Sequence, residues 1–74
     1  MKSVTVVVLG NQPRAFDWQR KRIAVDQITD HWSETGRWWD NETPCEFFQV
    51  LTNAGTYLLC RRVTDNHWYA KPVH

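Results

Sequence analysis

Ten aromatic rings in a chain of 74 residues, five of them indoles, narrow how this sequence can fold. A domain this small hides only about 60% of the surface its unfolded chain exposes, so it needs large apolar side chains or covalent and metal staples. Each aromatic ring hides roughly 150–250 Å², and Phe16, Trp18, Trp32, Trp38, Trp39, Phe47, Phe48, Tyr57, Trp68 and Tyr69 run the length of the chain. Staples are scarce by comparison. The two cysteines, Cys45 and Cys60, form no C-x-x-C pair and no dense framework. They read as reduced, partly buried thiols of a cytoplasmic protein, with a single cross-strand disulfide as the other reading. The expectation is one domain whose core is built on tryptophan.

The punctuation is that of an all-β chain. Ser3 to Leu9 is dominated by β-branched residues with apolar side chains on both faces, and so reads as one well-covered strand. Its apolar stretch, Val4 to Leu9, is shorter than the core of a secretion signal (about 7–15 residues) and than a membrane span (about 20), so no membrane role is expected. Gly10-Asn11-Gln12-Pro13 supplies turn chemistry. Pro13 to Gln19 sets Phe16 and Trp18 on one side of a second extended piece, and Arg20-Lys21-Arg22 lies in or beside the next turn. Glu46 to Thr52 and Thr56 to Arg62 read as strands joined by Asn53-Ala54-Gly55. Thr64-Asp65-Asn66 makes another turn, and His67 to Lys71 closes the chain. Regularly spaced strands predict an antiparallel meander of about five strands, curled into a small SH3-like barrel or half-barrel.

One stretch resists period two. Ile23 and Val25 share a parity that Ile28 and Trp32 do not. A β-bulge near Asp26-Gln27 would return Ile28 to the core. The competing reading is a short helical turn over residues 26–35, with Val25, Ile28 and Trp32 at i, i+3, i+7, Asp26 as N-cap and Gly36 just past the end. Flanking strands favour the bulge. Ser33 to Pro44 reads as a polar loop with a short strand at Trp38-Trp39; one of these adjacent indoles points inward and the other stays at least partly exposed.

Catalytic signatures are missing. A nucleophile needs a base beside it, and neither cysteine carries a recognisable signature with His31, His67 or His74. The spacing of Cys45, Cys60, His67 and His31 matches no zinc module, so no metal and no cofactor is expected. Asp26 with Asp30, and Asp40 with Glu42, sit in polar surroundings and read as solvated faces. Glycines stand alone at 10, 36 and 55, which leaves no phosphate loop. The chain is therefore read as a non-enzyme.

The basic residues are more suggestive. A net charge of +1 gives no whole-domain attraction for a polyanion, so any such site must be local. Arg20, Lys21 and Arg22 form one cluster and Arg61 and Arg62 another, and a meander could bring them to one side. With an exposed ring from Trp38 or Trp39, they would form a surface for single-stranded nucleic acid, where bases stack on aromatics and cations follow the backbone. Against this, acidic residues are dispersed among them, and strand-end cations commonly only keep edges soluble. The alternative is a protein–protein or self-associating module whose exposed apolar edge pairs with another chain, present as a monomer or a weak homo-oligomer.

The order Pro13-x-x-Phe16-x-Trp18, basic turn, Val25, Ile28, Trp32, Arg37-Trp38-Trp39 resembles a small bacterial family of unknown function. So does the ending Phe47-Phe48-x-Val50, Gly55-x-Tyr57-x-Leu59, His67-Trp68-Tyr69. The pattern is also similar to the C-terminal extension of ImuB-like proteins, inactive relatives of Y-family DNA polymerases used in mutagenic repair. The likeness spans about residues 13 to 72 and rests on scattered aromatics. The final Pro72-Val73-His74 departs from the usual acidic close. The resemblance carries over no catalytic residue. It implies an accessory module near DNA-damage tolerance, with nucleic acid or a polymerase-complex protein as partner.

Overall fold

The computed structural model describes residues 1–35 and 44–73, and all regular structure among them is β. Trp38, Trp39, Gly36 and most of the expected loop between Ser33 and Pro44 lie outside the described residues. Eight strands follow in order: β1 (Lys2–Val4), β2 (Val6–Leu9), β3 (Gln12–Trp18), β4 (Lys21–Ala24), β5 (Gln27–Thr35), β6 (Pro44–Thr52), β7 (Gly55–Arg62) and β8 (His67–Val73). Every pairing is antiparallel. No helix among the described residues is long and apolar enough to cross a membrane.

The expected count of about five becomes eight because two long runs bend and serve two sheets. One sheet has the order β1-β8-β7-β6-β5 and the other β2-β3-β4. The first run crosses between them at Thr5, whose carbonyl accepts from the Asp17 N–H at 2.9 Å. The second crosses at Val25-Asp26, where the Val25 N–H donates to Arg14 (2.8 Å) and the Asp26 N–H to Leu51 (2.9 Å). Consecutive amides thus serve different sheets, which is how a strand turns the corner of an orthogonal packing. The arrangement is compatible with an SH3-like barrel.

Two further expectations are corrected here. Residues 26–35 form no helix. The break at Val25-Asp26 is followed by a register slip between Ile28 and Asp30, so the bulge lies further along than the sequence suggested. Val25 and Ile28 pack on the main core, whereas Trp32 lies on a second cluster, and the helical spacing binds nothing together. Nor is Ser3–Leu9 one covered strand. Val4 and Val6 lean on the core, but Val7, Val8 and Leu9 are 36%, 41% and 64% exposed.

The main core joins Phe16 and Ile23 from the small sheet to Phe48, Val50, Tyr57, Leu59, Trp68 and Ala70 from the large one. Phe16, Phe48, Leu59 and Val50 of this core, with Pro13, are the largest fully buried side chains among the described residues. Phenylalanine and aliphatics therefore fill the centre, and among the described indoles only Trp68 is buried. Cys45, Phe47 and Cys60 are buried apart from this core, on the other face of β6 and β7, with Trp32 stacked on Phe47 at 5.4 Å. Both cysteines are free thiols.

Two hairpins turn on paired positive φ values. Gly10 (58°) and Asn11 (64°) suit that geometry, but Gln19 (49°) and Arg20 (68°) do not. The left-handed region costs a residue with a Cβ roughly 1–2 kcal/mol, against about 0.5–1 kcal/mol for the extra freedom glycine loses on folding. Arg20→Gly is therefore expected to stabilise the chain by about 0.5 kcal/mol or more, raising the melting temperature by roughly 2–6 °C. A melting curve with no upward shift would argue against strain at this tip.

Candidate nucleic-acid interface

The β3–β4 hairpin carries the first basic cluster on its tip. Trp18 pairs with Lys21 across it, so their side chains share a face. Trp18 packs edge-on against Tyr57 at 5.5 Å, and Lys2 Nζ lies 5.6 Å from the centre of the indole. The half-buried indole is therefore held from below and capped by a cation. Arg20 and Lys21 are exposed and make no ion pair among the described residues. Arg22 differs, because its Nε donates to Asp17 Oδ1 at 2.8 Å, and that hydrogen bond and charge raise its pKa further.

The second cluster is elsewhere. Arg61 and Arg62 are neighbours on one strand and point to opposite faces. Arg61 is tied down on one face: Nε and Nη2 donate to Glu46 Oε1 at 3.0 and 2.5 Å, and Nη1 to Asn66 Oδ1 at 2.6 Å. His31 Nε2 meets the other Glu46 oxygen at 2.8 Å and stacks its ring on Phe48 at 4.3 Å. Burial would raise the Glu46 pKa, but the hydrogen bonds from Arg61 and His31 outweigh it and hold the carboxyl below its ordinary value. On the other face, Arg62 donates to the Tyr69 hydroxyl (2.6 Å) and to Asp65 (3.3 Å).

The two clusters are therefore anchored at different points along the large sheet. Trp18 sits by Tyr57 and the arginine pair by Arg61, four residues along β7, or about 13 Å at 3.3 Å per residue. Three of the five cations are tied to partners within the chain. Sequence reasoning missed Lys2, and it took Trp18 only as a core side chain. Pairing across the two-residue tip could have found Trp18 with Lys21, but neither Gln19 nor Arg20 is a residue that signals such a turn. Trp38 and Trp39, the aromatic half of the expected surface, lie outside the described residues.

Beside the arginine pair a cleft of about 360 Å³ opens between Val8 and Asn11 on one side and Arg61, Asn66 and Trp68 on the other. No three potential metal ligands converge among the described residues. Burial pushes the Cys60 thiol up to about 12, helped by the adjoining Cys45 thiol, so its nucleophilic form is scarce at neutral pH.

These features describe a small all-β domain with a cationic, aromatic pole and an internal ion-pair network centred on Glu46. A family model described as "Domain of unknown function (DUF6504)" matches residues 3–70, and the chain belongs to that family. No curated protein and no solved structure matches it.

Proposed function

We propose that this chain is a non-enzymatic binding module that holds single-stranded nucleic acid at the pole formed by Lys2, Trp18, Arg20 and Lys21. One observation supports the reading above the others. A half-exposed indole lies under a lysine, beside a strained tip that displays two cations free of ion pairs among the described residues. Strain of this kind gathers at functional sites. A base stacks on the indole face as Lys2 moves from it to a phosphate, while Arg20 and Lys21 follow the backbone. Arg22, Arg61 and Arg62 leave the proposed contact set because their charge is spent internally. The resemblance to the extension of ImuB-like proteins supports a setting in DNA-damage tolerance. A reducing, cytoplasmic setting goes with this reading, since Cys45 and Cys60 are free thiols.

The test is titration of a short single-stranded oligonucleotide, followed by tryptophan emission at several salt concentrations. Three phosphate contacts predict a log–log salt slope of about −2, at roughly −0.7 per contact. The double substitution Arg20→Ala/Lys21→Ala should flatten that slope by about 1.4, and Trp18→Phe should remove much of the emission change. Binding that ignores the double substitution rejects this pole as the site, and silence at low salt rejects nucleic acid as the ligand. An acidic surface of a polymerase-complex protein would then be the partner to try.

A further inference from the structure

The exposed apolar strand β2 has no role in the cationic pole. It is terminal in its sheet, with β3 as its neighbour. Val7, Val8 and Leu9 are 36%, 41% and 64% exposed, and no charged side chain occurs from Ser3 to Pro13. Edge strands are ordinarily protected by charge, proline or cover. The opposite edge of its own sheet obeys that rule, since β4 carries exposed Lys21 and Arg22, and so does β5 of the other sheet with exposed Asp30, His31 and Glu34. The β2 edge lacks such charge.

The bare edge is self-complementary. The Asp17 N–H donates to the Thr5 carbonyl at 2.9 Å, so Thr5 and Val7 turn their backbone groups toward β3. Val6 and Val8, between and beyond them, turn theirs outward. A two-fold axis through Val7, perpendicular to the sheet, sets Val6 of one copy opposite Val8 of the other, twice. That register makes four backbone hydrogen bonds and places Val7 against Val7 of the second copy. On the same face Val7, Ala15 and Ala24 lie in one register row, so pairing extends it to six small apolar side chains. A net charge of +1 offers little repulsion between copies.

We propose that β2 is a homotypic docking edge, on which a second copy of this chain adds in antiparallel register with Val7 on the symmetry axis. The pairing joins two three-stranded sheets into one of six. So short a strand buries less than the roughly 1,200 Å² of standard interfaces, which makes the dimer weak and reversible. The proposal is independent of the nucleic-acid reading, since its surface is uncharged and it needs no oligonucleotide.

Sedimentation equilibrium from about 10 µM to about 1 mM protein, without nucleic acid, tests it. The expected result is a monomer–dimer equilibrium that scarcely changes with salt. Val7→Lys and Val7→Glu each set like charges against each other across the axis, and each should weaken the dimer at least about tenfold. Mixed together, the two variants set opposite charges at the same spot and should restore a heterodimer. Near-ultraviolet circular dichroism confirms that both variants remain folded, as a partly exposed site allows. A strictly monomeric protein over the whole range overturns the proposal. So does a dimer indifferent to both substitutions, or a mixture that stays monomeric.

Discussion

Phe48→Ala is expected to cost about 3–5 kcal/mol, a large part of the roughly 4–11 kcal/mol available to a domain of 74 residues. Phe48 is 1% exposed and sits in the large sheet facing β2–β4. Its ring touches Trp68 at 5.7 Å and stacks with His31 at 4.3 Å, so truncation empties the centre of the core and loosens the His31–Glu46 contact together. In urea unfolding the midpoint should fall steeply with little change in slope. Leu51→Ala, at a side chain 41% exposed, is the matched control and should cost far less. If the alanine variant is too unstable to purify, Phe48→Leu serves, with an expected loss of about 1–1.5 kcal/mol. A loss below about 1 kcal/mol for Phe48→Ala would mean that the core is centred elsewhere.

Glu46→Gln carries the second large effect, about 1.5–3 kcal/mol at neutral pH, the scale of hydrogen bonds to charged groups. The carboxylate accepts from Arg61 and meets His31, and its side chain is only 20% exposed, so the amide keeps an oxygen for Arg61 but leaves a half-buried guanidinium without its opposing charge. Because the folded chain holds the Glu46 pKa below its ordinary 4.5, the folded state binds that proton more weakly than the unfolded state does. The stability this provides is complete above 4.5 and is lost as pH falls through the lower folded value. Stability measured from neutral pH into acid should therefore show the native chain and the glutamine variant converging below 4.5. Parallel profiles would show that Glu46 supplies no such linkage.

Much of the hairpin framework was legible because it is encoded locally. The turn at Asn53-Ala54-Gly55 is marked by a glycine at φ 113°, and Thr52 fixes it by accepting from the Ala54 N–H and donating to the Gly55 carbonyl. Gly10-Asn11 and the Asp65-Asn66 turn are likewise written in residues that tolerate positive φ. The cationic pole was half legible. Its turn could be located, but Lys2 joins it from the far end of the chain.

The alternation of β-branched and aromatic residues between turn signals is enough to dictate an all-β chain, since each strand and hairpin depends on neighbours a few residues away. Folding in three dimensions settled the rest: that the runs at Thr5 and Val25-Asp26 bend from one sheet into the other, that among the described residues phenylalanine lies deeper than tryptophan, and that Arg61 and Arg62 are consumed by Glu46, Tyr69 and Asp65. These outcomes depend on register between strands distant in sequence. A shift of one residue reverses every side chain's face, and no local pattern reports it.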